Sequence, residues 1–162
     1  MSTQISDATV LADHIAAVSA LTPMIRTECA DVDRTRQIPT VVVDALRDAG
    51  VFRMLAPRDM GGFETDPHNF LRVVEEVSYA DGSAGWCTMI AGCYATFSGM
   101  LPRQGGQEIF GDPATISAGS FRPDKSSAEE VDGGYRLSGR WALAGSGVST
   151  WSAVASPVSA TP

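Results

Sequence analysis

Residues 133–151, GGYRLSGRWALAGSGVSTW, gather the groups of this sequence best suited to meet a small molecule. Ala144-Gly145-Ser146-Gly147 is a corner of small residues, where backbone amides and one hydroxyl can come close to a flat ligand. The chemistry on offer is holding and orienting, because no catalytic base is visible in the chain. A strand and a turn must position that corner. Tyr135, Leu137, Gly139, Trp141 and Leu143 would share one face of the strand, and Arg136, Ser138, Arg140 and Ala142 the other. The first face is expected to be buried and the second solvated. Asp132-Gly133-Gly134 supplies turn chemistry ahead of it, so a β-hairpin is expected. Read alone, the stretch is also compatible with an ordinary hairpin that ends in a glycine corner.

Other reactive side chains are few. Cys29, Cys87 and Cys93 are an odd number without CxxC spacing, and only His14 and His68 accompany them, so no zinc site is expected. They read as buried free thiols of a reducing cytoplasm. The net charge of −7, with no run of Lys and Arg, argues against a nucleic-acid partner or a polybasic membrane patch. The opening MSTQISDATV lacks the basic and apolar regions of a signal peptide, and a cytoplasmic protein is expected. At 162 residues, 44% of them hydrophobic, the chain suffices for one domain with a core, or one domain and part of another.

The elements that would carry these groups follow from periodicity. Leu11, Ile15, Val18, Leu21, Ile25, Cys29 and Val32 recur at helical steps, with a kink or break expected near residues 21–23 because of Pro23. Thr22 could cap a second half. The mixed charges of residues 31–36 end this helix. Ile38-Pro39 begins another, with Val42, Val43, Leu46 and Ala49 on its buried side and Gly50 as its left-handed end. Asp66-Pro67 opens a third, burying Phe70, Leu71, Val74 and Val77, with Glu75 and Glu76 facing water. Asp81-Gly82-Ser83 caps a fourth. From Gly82 to Pro102 there is no charged residue. That length approaches a membrane span. Its glycines, serines and threonines, without a basic flank, instead predict a central bundle helix touched on every side. A short helix follows from Pro102 and ends at Gly111-Asp112-Pro113. Residues 115–123 are expected to be the first strand and loop of a β domain, and 126–132 a polar strand. The boundary therefore falls between a helical domain, 1–112, and a partial β domain, 113–162.

The stretch 133–151 resembles a motif of the flavin-dependent monooxygenases that share the acyl-CoA dehydrogenase fold. In that motif a Gly-Gly-Tyr-x-Leu-Ser-Gly-x-Trp strand runs into a Ser/Gly-rich corner and a further tryptophan. Here the residues are Gly133, Gly134, Tyr135, Leu137, Ser138, Gly139 and Trp141, then Gly145, Ser146, Gly147 and Trp151. Two upstream stretches agree with it. One is Asp48-Ala49-Gly50-Val51-Phe52 with Pro57 and Gly61-Gly62; the other is Asp81-Gly82-Ser83-x-x-Trp86. The resemblance implies an α+β fold, an N-terminal all-α helical bundle followed by the start of an antiparallel β-barrel domain. It implies reduced flavin, FMN or FAD, supplied by a separate flavin reductase, and hydroxylation of a small organic, aromatic substrate with O2.

The same resemblance places Gly119, Ser120 and Phe121 against the flavin ring or its ribityl chain, and Gly145 and Ser146 near the ring's N5 edge. Trp86 and Tyr94 would line the substrate side. Many of these monooxygenases carry a histidine where Tyr94 stands. A tyrosine donates a hydrogen bond but cannot become a cation at neutral pH, so imidazole acid–base chemistry is not expected. Tyr94 and Ser146 are then the candidate catalytic side chains, although Tyr94 as a core aromatic with a satisfied hydroxyl fits equally. Gly119-Ser120-Phe121-x-Pro123 stands where acyl-CoA dehydrogenases carry Thr-Glu-Pro, which favours an oxygenase.

Members of that family continue well past residue 162, completing the β domain and adding a four-helix bundle. The resemblance thus implies a fragment of a longer enzyme or a shortened homologue, which would form a homo-oligomer or pair with a chain supplying the C-terminal half. An FAD-dependent acyl-CoA dehydrogenase fragment and a non-catalytic binding or assembly module are the other two readings.

Overall fold

Two long helices, α1 (Asp7–Glu28) and α4 (Pro67–Ala80), pack along each other at the centre of the computed structural model, which describes residues 7–119, 125–132 and 134–140. The stripe on α1 buries Val18 and Ile25 and continues to Cys29. The expected break at Pro23 does not occur; the helix runs through it. An interior proline costs about 3 kcal/mol through its missing amide and the clash with the preceding turn. Here α1 is docked on both sides of it. Ser19 Oγ donates to Glu76 Oε1 at 2.7 Å, and the Arg26 guanidinium lies 5.4 Å from the centre of the Tyr79 ring. Those contacts keep the two halves in one continuous helix, so Thr22 caps nothing and Glu76, expected to face only water, has a protein partner.

After a 3-10 turn, Cys29–Asp31, helix α2 (Val32–Thr35) ends with Arg36 in the left-handed region at φ 57°. Exposed Arg34 and Asp31 pair across one turn, as the mixed charges suggested. Helix α3 (Thr40–Asp48) buries Val42, Val43 and Leu46. Pro39 sits at its N-cap, one position ahead of the first turn where it was expected. Gly50 follows with φ 76°, and an added Cβ would lie 2.9 Å from the Phe63 ring, so both conformation and space require glycine.

The Asp66 carboxylate accepts the His68 amide at 2.8 Å and opens α4, with Pro67 at its first position. The buried stripe is Phe70, Val73 and Val77. Leu71, expected inside, is 56% exposed. Positions 70, 73 and 77 lie on one face at helical spacing, whereas 71 is turned about 100° away from 70. Asp81 then caps α5 (Gly82–Ala95), accepting the Ala84 amide at 2.8 Å.

Helix α5 buries Ala84, Cys87, Thr88, Ala91 and Ala95 against the bundle. Its glycines allow the close approach of α4. A Cβ on Gly85 would lie 2.7 Å from Ser78 Cα, and one on Gly92 would lie 2.6 Å from Phe70 Cε2. The expectation of contact on every side fails, because Trp86 is 58% exposed and Cys93 is exposed. The lack of charge thus has two origins: close packing on one face, and an uncharged but accessible surface on the other. Among the described residues no helix is long and apolar enough to cross a membrane.

Helix α6 (Arg103–Phe110) packs on the 3-10 turn Thr96–Gly99 that follows α5, through Gly106, where a Cβ would lie 2.9 Å from the Ser98 carbonyl oxygen. Residues 115–119 form no strand. A strand exists only through a paired neighbour, and this segment packs on helices instead, with Ile116 against the core. The polar strand and the hairpin are present. β1 (Lys125–Val131) and β2 (Gly134–Arg140) are antiparallel, with Glu129 opposite Arg136 and Val131 opposite Gly134. The order is the expected one, helices and then an antiparallel sheet. Tyr135 and Gly139, expected on a buried face, are exposed. Trp141 and Leu143, which would extend that face, lie outside the described residues.

Cys29 and Cys87 are buried free thiols; Cys93, expected to be buried with them, lies on the accessible face of α5. Burial first, and then the negative charge of Asp81, pushes both inner thiols from 9.0 up to about 11. Burial raises the Cys93 thiol as well, but only Cys93 is accessible, so alkylation by iodoacetamide at pH 8 should modify it at least tenfold faster than the other two, read by peptide mass. The unfolded chain releases these protons above pH 9 while the folded chain keeps them. Stability is therefore unaffected below about pH 8 and falls as pH rises from 9 to 11, which a pH series of melting temperatures will show.

Candidate functional site

An aromatic ring and a glycine backbone meet where the C-terminal half of α5 approaches residues 115–119. A Cβ built on Gly119 would lie 2.5 Å from Tyr94 Cε1, 2.9 Å from Cζ and 3.0 Å from the hydroxyl oxygen. The backbone at 119 therefore rests on the phenol, and any side chain there would displace one of the two. Phe97, one turn further along, is tilted 47° to Tyr94 with ring centres 5.3 Å apart. Burial raises the Tyr94 pKa, so its hydroxyl stays protonated at neutral pH and has the character of a donor rather than a base.

Both partners are held from behind. The 3-10 turn Thr96–Gly99 that follows α5 is held by Gly99, where a Cβ would lie 2.8 Å from Pro57 Cγ, and by buried Ser98, whose hydroxyl donates to the Ala95 carbonyl at the end of α5 at 2.7 Å. The segment leading to Gly119 starts in a tight turn at Asp112. There the Thr115 amide donates to the Asp112 carbonyl at 3.0 Å and the Ala114 amide to Asp112 Oδ1 at 2.8 Å. Ile116 then packs on the core.

Of the residues singled out from the sequence, Tyr94 and Gly119 are in contact. Trp86 shares the helix with Tyr94, eight residues and about 12 Å earlier along the axis, and is exposed. Ser120, Phe121, Gly145 and Ser146 lie outside the described residues. Phe97 was not singled out, although its place three residues after Tyr94 on a helix was the available signal. Arg53 was missed as well. It is only 9% exposed, and its guanidinium donates to the carbonyls of Phe110 at 2.8 Å and of Met60. Its signal was a lone charge inside the apolar run Val51-Phe52-Arg53-Met54-Leu55. Among the described residues no three His, Cys, Asp or Glu side chains cluster as metal ligands would.

The family described as acyl-CoA dehydrogenase, N-terminal domain, matches residues 12–108. Indole-3-acetate monooxygenase of Pseudomonas putida is 39% identical over 117 residues, covering 72% of this chain and 30% of that protein. The flavin-dependent monooxygenase oxygenase subunit HsaA of Rhodococcus jostii is 30% identical over 142 residues, covering 87% of this chain and 37% of the relative. Among solved structures, XiaF from a Streptomyces species in complex with FADH2 and glycerol superposes with a TM-score of 0.77 at 26% identity, over 83% of this chain and 34% of that one. The chain spans about a third of the length of the curated relatives it matches.

Proposed function

Because this chain belongs to the acyl-CoA dehydrogenase family, whose N-terminal domain it carries, we propose that it is the N-terminal part of the oxygenase component of a two-component flavin-dependent monooxygenase. The enzyme would use reduced flavin and O2 to hydroxylate a small aromatic substrate. A separate flavin reductase would supply the flavin, and copies of the chain, or a chain with the C-terminal half, would assemble with it. The helical part would end at residue 112, and residues 113–162 would begin the flavin-facing β domain. The Pseudomonas and Rhodococcus relatives are monooxygenases by name, and the Streptomyces structure holds FADH2, so FADH2 is the form to test first.

The observation that carries this reading is the contact of Gly119 with Tyr94 beside an uncharged, accessible helix face. A flat, neutral ring system needs such a setting: backbone without a side chain at the point of approach, aromatic surface, and a neutral donor. The residues present fit it. Gly119, with Ser120 and Phe121 after it, would hold the ring on one side, and Gly145 and Ser146 would reach it from the sheet. Trp86 and Tyr94 would face the substrate. When bound, reduced flavin supplies the two electrons with which O2 is split, one oxygen atom entering the substrate and the other leaving as water. The protein holds, orients and excludes water. The Tyr94 hydroxyl, protonated at neutral pH, leaves the site without a fixed charge. The Gly82–Pro102 segment adds none.

Anaerobic titration of the purified chain with FADH2, followed by quenching of tryptophan fluorescence, tests the proposal. Saturable binding at micromolar concentration is expected, with slower oxidation of the bound flavin on mixing with O2. A chain that neither binds nor protects FADH2 would overturn the proposal for this polypeptide.

A further inference from the structure

We propose that Arg53 is a positioning residue that sets where Gly119 lies on Tyr94, acting through the end of α6 and the turn at Asp112. The Arg53 side chain is buried where three pieces of chain converge. One guanidinium nitrogen donates to the carbonyl of Phe110 at 2.8 Å, with a longer contact of 3.5 Å to the carbonyl of Asp112; the other donates to the carbonyl of Met60. Phe110 is the last residue of α6, so its carbonyl has no partner within the helix. A cation at that negative end is favourable, and here it is shielded from water.

The consequence lies further along the chain. Asp112 is where the segment to Gly119 begins, and its carbonyl and carboxylate accept the amides of Thr115 and Ala114. Arg53 itself belongs to the buried connector, whose neighbours Val51, Phe52 and Met54 are core residues and which packs on α5. The guanidinium thus ties the origin of the segment that carries Gly119 to the body that carries Tyr94. An arginine used only to close the core would leave that distant contact unchanged when altered.

This inference rests on the reading of Gly119 and Tyr94 as flavin-facing only in its consequence for binding; its geometric claim stands apart. The test uses Arg53→Met and Arg53→Lys in the full chain. The readout is the rate of tyrosine nitration by tetranitromethane, measured by peptide mass. Tyr79, 77% exposed, is the internal reference. In Arg53→Met, nitration of Tyr94 relative to Tyr79 should rise at least fivefold at a temperature where circular dichroism shows the helices intact, and FADH2 binding should weaken at least tenfold. Arg53→Lys, which keeps the charge and a donor, should restore most of the protection of Tyr94. Unchanged relative nitration in a folded Arg53→Met chain would overturn the inference. If that variant does not fold, Arg53→Gln decides: it keeps a donor but lacks the reach to Phe110 and Met60, so a rise in Tyr94 nitration above wild type supports the inference and a wild-type rate overturns it. If nitration changes as expected while even the wild-type chain fails to bind FADH2, the positioning role stands and the proposed function falls.

Discussion

Replacement of Gly119 by valine should weaken FADH2 binding at least a hundredfold while leaving the helical bundle folded. The first added carbon would sit 2.5 Å from Tyr94 Cε1, well inside contact distance, and the two branches of valine would make the overlap worse. The ring has little room to yield. It is carried on a helix, where χ1 is restricted, and Phe97 stands beside it with ring centres 5.3 Å apart. The backbone at 119 must therefore lift. Residue 119 lies at the edge of the bundle rather than in its centre, so the cost in stability should fall near the lower end of the roughly 1–3 kcal/mol typical of overpacking. Tyr94→Phe gives a graded companion. It keeps the ring and its contact with Gly119 and removes only the donor, for an expected loss of about 1 kcal/mol, or roughly fivefold in affinity. Fluorescence titration against FADH2, with thermal melting alongside, reads both variants. Wild-type affinity in Gly119→Val would sink the proposal that this contact lies in the flavin site.

The largest expected effect on stability is at the crossing of α4 and α5. Phe70 is almost fully buried, and its ring rests on Gly92. Phe70→Ala removes that ring and should cost about 3–5 kcal/mol, a large share of the roughly 5–15 kcal/mol that holds a domain folded. Gly92→Ala acts from the other side of the same contact by pushing a methyl into the ring, at about 1–3 kcal/mol. The two positions are coupled through one small volume. Phe70→Leu combined with Gly92→Ala should therefore be at least 1 kcal/mol more stable than the sum of the single changes predicts. Urea denaturation of the four chains of the cycle measures this. Simple additivity would mean that the ring can move aside from Gly92 and that the glycine is not what permits the crossing.

Much of this architecture was legible in the chain because it depends on near neighbours. Asp66 and Asp81 cap their helices through carboxylates that reach amides two and three residues away. Gly50 stops α3 with a backbone conformation that belongs to glycine itself. The hairpin of β1 and β2 follows from a turn of Asp and Gly between two strand-forming stretches. The motif around residues 81–86 and the glycine-rich stretches identified the family, which the match over residues 12–108 bears out. In each case the information is carried by a few consecutive side chains and needs no distant partner.

What lay beyond the sequence depended on surfaces brought from elsewhere. Pro23 would break an isolated helix, yet α1 stays continuous because α4 grips it on both sides. The choice of Val73 over Leu71 for the core was made by which face of α4 meets α1 and α5, not by hydrophobicity. Residues 115–119 have the composition of a strand but pack on helices, which brings Gly119 onto Tyr94, 25 residues earlier in the chain. Arg53 looked like an intrusion in an apolar run until the carbonyls of Met60 and Phe110 closed around it. The sequence by itself determined the helices, their ends, the hairpin and the family. The tertiary structure alone decided which faces are buried and which distant residues touch, because burial and contact are properties of paired surfaces and neither surface encodes its partner.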